Sequence, residues 1–219
     1  MSAATYFIAG TDTGVGKTRV TAALLAAGRE QGLTVAGMKP VAAGSDDARQ
    51  LASASGQATA YEDLNPYCFK EAVSPHIAAD RAKIVIDIDK IAAISRRLQA
   101  GCDLLLIEGA GGWHAPISAQ ESMADIARAL ASPVILVVGL RLGCLSHARL
   151  TLEAIERSDC RFGGWIASQI DPEFELQAEN LATLRQLMRA APLAIMPYAL
   201  GRTHDAAQVR AALRLLLSR

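Results

Sequence analysis

An imbalance of charge is absent from this sequence: 22 lysine and arginine residues face 22 aspartate and glutamate residues, mixed along the chain. Without a basic stripe the chain lacks the electrostatic footprint of a nucleic-acid binder, so bulk DNA or RNA binding is not expected. Long apolar runs are missing as well. None approaches the ~18 residues that a bilayer-spanning helix needs, and the opening MSAATYF has neither the basic segment nor the apolar stretch of a secretory signal. The expectation is a cytoplasmic protein with no membrane partner. Four cysteines, Cys68, Cys102, Cys144 and Cys160, stand far apart with no CxxC pair among them, so they read as free or buried thiols rather than a zinc or redox site. His76, His114 and His204 have no second histidine at ligand spacing and His147 reads as a packing or helix-surface residue, so none is assigned to a metal. An Asn-Lys-x-Asp element, which reads guanine, is also absent, and this weakens a Ras-like GTPase reading.

What is present is apolar material: 51% of 219 residues is hydrophobic, enough for one sizeable core, and the length favours one domain over two. Short β-rich runs alternate with longer helical patterns, the signature of a parallel sheet with crossover helices. Strands are expected near residues 5–9, 35–39, 103–108, 133–138, 162–167 and 193–196. Helices are expected near 17–31, 46–55, 87–100, 122–131, 145–158, 174–190 and 204–217. LLLIE and VILVV are apolar at nearly every position, as suits central strands covered on both faces. Residues 56–86 carry prolines in NPYCF and VSPHI that break helical periodicity, so this stretch is expected to be long loops. The fold class is α/β, a single domain over 1–219 with a mostly parallel sheet flanked by helices on both faces, and the glycine-rich GTDTGVGKT at residues 10–18 makes it P-loop NTPase-like.

GTDTGVGKT, residues 10–18, follows the first expected strand and opens the first expected helix. In the general P-loop pattern four residues separate a first glycine from Gly-Lys-Ser/Thr; here that first position is Thr11, with Gly10 one step earlier. Backbone N–H groups and the helix N-terminus would hold phosphate oxygens, Lys17 would neutralise the β- and γ-phosphates, and the Thr18 hydroxyl would ligate Mg²⁺. The expected nucleotide-binding segment is Gly14, Val15, Gly16, Lys17, Thr18 and Arg19. Glu108 closes the run LLLIE at the carboxyl end of a buried strand, where ligands collect in open α/β sheets, and Gly109, Ala110 and Gly111 continue it as a side-chain-poor loop near the phosphates.

Several stretches together resemble one family closely: GTDTGVGKT, KPVAAGS, NPYCF, SPHIAA, LLLIEGAGGWHAPI, VILVVGLRLGCLSHARLT and GGWIAS. The resemblance is to dethiobiotin synthetase and runs in order from about residue 5 to 200. It implies an ATP-dependent carboxylation and ring closure of 7,8-diaminononanoate with CO₂, giving dethiobiotin, ADP and phosphate, in a homodimer with the substrate site at the interface. By the same resemblance, Lys17 and Lys39 act on the transferred phosphoryl group and the carbamate, and Asp12 and Thr13 face the diamine. Thr18, Asp47 and Glu108 match the family's magnesium ligands, with Asp46, beside Asp47, left open as the alternative. Gly143, Cys144 and Ser146 would receive the substrate's carboxylate through N–H groups at a helix start. Ser168, Gln169, Pro197, Tyr198 and Ala199 fall where the base pocket is expected. The chain also departs from the family. Ala43 stands where many relatives have a serine near the carbamate, with Ser45 as a substitute hydroxyl, and Gly14 replaces an acidic residue of some relatives. Ser168-Gln169 stands where an adenine-reading Asn-Asp is found, which implies a relaxed base preference. The competing readings are a partition or septum-positioning ATPase switch, which usually carries a second lysine early in the P-loop that residues 10–15 lack, and a non-catalytic nucleotide-sensing relative.

Overall fold

The computed structural model describes residues 3–44, 46–56, 59–198 and 203–218. In chain order the elements are β1 (Ala4–Gly10), α1 (Lys17–Glu30), β2 (Val35–Met38), β3 (Val41–Ala43), α2 (Asp47–Ser55), α3 (Tyr61–Leu64), β4 (Tyr67–Phe69), α4 (Pro75–Ala82) and α5 (Ile88–Gln99). They continue as β5 (Leu104–Glu108), α6 (Met123–Leu130), β6 (Val134–Leu140), α7 (Cys144–Glu156), β7 (Phe162–Gln169), α8 (Gln177–Leu187), β8 (Ile195–Met196) and α9 (Thr203–Leu217). The six strands expected from the sequence form one parallel sheet in the order β2-β5-β1-β6-β7-β8.

Alternation along each strand divides the core into two layers. Tyr6, Ile8, Leu104, Leu106, Ile135 and Val137 pack against one face with α1, α2 and α9. Their neighbours Phe7, Leu105, Ile107, Val134, Leu136 and Val138 point the other way, onto α5, α6, α7 and α8. Because both faces are covered, these strands are apolar throughout rather than every second residue. Among the described residues no helix is long and apolar enough to cross a membrane.

Residues 56–86 differ from the loops expected of them. They hold α3, β4 and α4, and β4 pairs in parallel with β3 to make a small second sheet. Pro75 misled the reading: it occupies the first turn of α4, where an absent N–H leaves no helical bond unmade. The three-residue strands are too short for alternation to be legible. Helix α8 is shorter than expected at both ends: Leu176 takes a left-handed conformation (φ 53°) just before it, and Arg189 does so (φ 51°) just after it.

Strand register positions the chemistry. Ile8 lies level with Glu108, and Met38 with Ile107, so the ends of β1, β5 and β2 bring the P-loop, Glu108 and Lys39 to one carboxyl edge. This edge is only as firm as the central strands. Leu106→Ala, at a fully buried position, is expected to cost about 2–5 kcal/mol, whereas Val85→Ala, at an 84% exposed site, should stay within about 0.5 kcal/mol. Urea unfolding of the two variants checks this.

Candidate active site

A cavity of about 900 Å³ opens at that edge, lined by the P-loop, Lys39, Ala43, Asp47, Glu108 and the residues that follow Glu108. Gly16 ends the loop with φ 90°, a left-handed conformation suited to glycine, and hands the chain to α1. Gly10 explains the displaced glycine of the motif. A Cβ there would meet Lys17 Nζ at 2.9 Å and Val15 Cγ2 at 2.8 Å, so the lysine can fold back over the strand end only because Gly10 has no side chain. Val15 itself is buried in the core, and any contact it makes with a nucleotide is through its backbone.

The two expected lysines meet in this cavity, each held by the glycine-rich loop after β5. Lys17 Nζ donates to Gly111 O at 2.5 Å and Asp12 O at 3.0 Å. Burial, and then the neighbouring Lys39 charge, bring its pKa down from 10.5 to about 8. Lys39 Nζ donates to Gly109 O at 3.0 Å and lies 2.6 Å from Glu108 Oε1 and 3.0 Å from Asp47 Oδ2. Burial alone would lower its pKa, but the carboxylates of Glu108 and Asp47 outweigh that and raise it above the ordinary lysine value. Lys39 is therefore a fully charged ammonium at neutral pH.

Thr18 Oγ1 donates to the same Glu108 oxygen at 2.7 Å. The other carboxylate oxygen, Oε2, is buried without a hydrogen-bond partner among the described residues. Asp47 rather than Asp46 faces the cavity: Asp46 points outward and pairs with the exposed Arg49. Thr18, Asp47 and Glu108 thus present hard oxygens together, one of them unpartnered, and this donor set fits a magnesium ion. Among the described residues no cluster of three or more His, Cys, Asp or Glu side chains could hold a metal unaided. Mg²⁺ at a triphosphate site needs only one or two carboxylates, the remaining positions being phosphate and water.

Two residues of the site had no role in the sequence reading. Asn65, in NPYCF, is buried, and its Nδ2 donates to Lys39 O at 2.7 Å and to Tyr67 O at 3.3 Å, while Lys39 N donates to Leu64 O at 2.7 Å. The segment read as loop therefore fixes the backbone of Lys39. Arg141 forms an ion pair with Asp12, the carboxylate expected to face an amine. Both had a usable signal, since NPYCF and GLRLGC were conspicuous stretches.

Other expected residues are not brought together with the lysines. Gly143 and Ser146 are exposed and, like the buried Cys144, lie off the cavity wall; Cys144 N already donates to Arg141 O at 3.0 Å and is not a free donor. That corrects the expectation of three open N–H groups: Cys144 closes the turn that starts α7. Ser168, Gln169, Pro197 and Tyr198 gather around Arg19. Ala199, Ser45 and the side chain of His204 lie outside the described residues.

Comparison with known proteins gives this arrangement a family. A protein of Aromatoleum aromaticum named ATP-dependent dethiobiotin synthetase is 47% identical, with 96% of each chain covered. The chain belongs to the dethiobiotin synthetase family. Proteins of the same name from Nitrosospira multiformis and Cellvibrio japonicus are 45% and 41% identical, covering 92% and 99% of this chain and 90% and 99% of their own lengths. A family model described as AAA domain matches residues 4–203. Solved structures share the fold at low identity: MinD of Aquifex aeolicus, a cell division protein, superposes with TM-score 0.65 at 17% identity over 98% of this chain and 97% of its own. A ParA family ATPase of Chlorobium tepidum gives TM-score 0.58 at 10% identity over 96% and 91%. These likenesses speak for the P-loop architecture alone, and the family assignment rests on the dethiobiotin synthetases.

The lowered pKa of Lys17 has a consequence for stability. A charged Lys17 is disfavoured in the fold, so its penalty is present at pH 7 and is relieved as pH rises from about 8 towards 10.5. Lys17→Met removes the penalty, and the stability difference between variant and parent should narrow by about 3 kcal/mol over that window. Urea unfolding at pH 7 and pH 10.5 measures it; a difference independent of pH would contradict the assignment.

Proposed function

We propose that the chain uses ATP and Mg²⁺ to join CO₂ to 7,8-diaminononanoate and close the ureido ring, releasing dethiobiotin, ADP and phosphate. The observation that carries this reading is the convergence of Lys17 and Lys39 on one cavity in a chain so similar to dethiobiotin synthetases. An amine nitrogen of the substrate attacks the carbon of CO₂ and loses a proton, leaving a carbamate. A carbamate oxygen then attacks the γ-phosphorus, and the bond to the β-phosphate oxygen breaks to release ADP. The second amine attacks the carbonyl carbon of the mixed anhydride, expels phosphate and closes the ring.

No side chain needs to form a covalent bond in this scheme. Transfer between two anions is opposed by charge repulsion, and the contribution of the protein is to neutralise and orient. Lys17, held over the P-loop, faces the phosphates, and Lys39 approaches the carbamate and the γ-phosphate from the end of β2. Thr18, Asp47 and Glu108 would hold Mg²⁺, which when bound shields the phosphate oxygens. Gly14, Gly16 and their neighbours supply backbone donors to the phosphates. Asp12 and Thr13 receive the diamine; the pairing of Asp12 with Arg141 means that an incoming ammonium shares or displaces that guanidinium. Ala43 lines the cavity and offers no hydroxyl there. In a homodimer, the exposed Gly143 and Ser146 of a second subunit are suited to receive the carboxylate tail, since each helix start turns N–H groups outward.

With Mg²⁺, ATP and labelled bicarbonate, phosphate release should require the diamine, and label should enter the product. Phosphate release that ignores the diamine and responds to a protein partner would point instead to an ATPase switch. Lys39→Met is expected to lower kcat by about 10²- to 10³-fold while ATP binding, measured by calorimetry, survives. Loss of binding together with turnover would make the lysine structural rather than catalytic.

A further inference from the structure

One corner of the cavity is built in an unusual way. Arg19 stands in the first turn of α1 and lines the cavity, and its guanidinium is held by four acceptors from two other parts of the chain. Nη1 donates to Pro197 O at 2.6 Å and to Tyr198 O at 2.8 Å. Nη2 donates to Ser168 Oγ at 2.8 Å and to Gln169 O at 3.2 Å. The side-chain amide of Gln169 is engaged at both ends, with Nε2 donating to Gln177 Oε1 at 2.8 Å and Oε1 accepting from Tyr198 N at 3.2 Å. The corner adjoins the phosphate loop, since a Cβ on Gly16 would lie 2.6 Å from Ser168 Oγ.

A site that tells one nucleobase from another must offer acceptors to the exocyclic amino group of adenine or cytosine, or donors to the carbonyl oxygens of guanine or uracil. Here the acceptors beside the phosphate loop are already bound by a permanently charged donor, and the Gln169 amide is engaged within the protein at both its oxygen and its nitrogen. A base amino group would have to compete at these oxygens with charge-assisted hydrogen bonds stronger than the neutral ones it could make. A planar guanidinium fixed in this way still offers its face to any base, because stacking does not depend on the hydrogen-bonding pattern.

We infer that Arg19 is a specificity-determining residue: by tying up the acceptors of Ser168, Gln169, Pro197 and Tyr198 it makes the enzyme accept purine and pyrimidine nucleoside triphosphates with similar efficiency. This rests on the proposed synthetase reading only for the identity of the reaction, since the base preference can be measured by binding alone. The triphosphate and Mg²⁺ make the contacts that matter, and the base is a passenger.

The test uses the full chain with Mg²⁺ and ATP, GTP, CTP or UTP, measuring binding by calorimetry and kcat/KM by diamine-dependent phosphate release. The four triphosphates are expected to fall within about tenfold of one another in both. Arg19→Ala releases the carbonyls, and the preference for ATP and CTP over UTP should then grow by about tenfold or more. A native preference for ATP above about a hundredfold overturns the inference, as does an Arg19→Ala variant that shifts all four by the same factor. Should Arg19→Ala fail to fold, as a thermal melt would reveal, the native comparison still decides. Equal binding of all four without diamine-dependent turnover would sink the synthetase reading and leave this one standing; diamine-dependent turnover with ATP alone would do the reverse.

Discussion

A single buried ammonium organises this protein. Lys39 is 2% exposed, just past the end of the edge strand β2, between the carboxylates of Glu108 and Asp47. Taking such a charge out of water costs several kcal/mol, and only close anions and hydrogen bonds offset it. Each element around it answers that demand. Strand β5 delivers Glu108, the start of α2 delivers Asp47, the loop after β5 delivers the Gly109 carbonyl, and Asn65 fixes the backbone behind the charge.

The same cluster holds Thr18, Lys39, Asp47 and Glu108 in place against one another. Lys39 neutralises two carboxylates that, in the proposed reaction, would turn to a metal ion. A divalent ion placed among Thr18, Asp47 and Glu108 would compete with the ammonium for the same oxygens, and the ammonium would be free to follow the incoming anions. Lys17 is prepared differently. It rests on two carbonyl oxygens beside another cation, and among the described residues no carboxylate lies within ion-pair distance of it, so its charge is under-neutralised. One lysine is satisfied and the other is short of anions, and both conditions favour a site that receives a triphosphate.

How much of this was legible beforehand depended on the range of the forces involved. The six strands of the main sheet were readable because a strand buried on both faces must be apolar along its length. Lys17, Thr18 and Glu108 were readable because a strand end, a glycine loop and a helix start are local in sequence. Lys39 alone could not be told from an ordinary surface lysine without the family resemblance; what buries it comes from Asn65, Asp47 and Glu108, at sequence distances that no local pattern records. The small β3–β4 sheet was missed because three-residue strands carry no periodicity, and α4 because Pro75 in a first helical turn looks the same as a proline that breaks one. The Arg19 clamp was invisible for a related reason: its four acceptors come from the ends of two strands, and three of them are backbone atoms.

The central claim is that Lys39 moves its charge from the carboxylates to the reacting anions. A crystal structure with Mg²⁺, a non-hydrolysable ATP analogue and the diamine carbamate tests it most directly. The expected result is Lys39 Nζ within hydrogen-bonding distance, about 3 Å, of a γ-phosphate or carbamate oxygen, with the metal ion on Glu108. Lys39 still locked against Glu108 and Asp47, out of reach of both ligands, would contradict it.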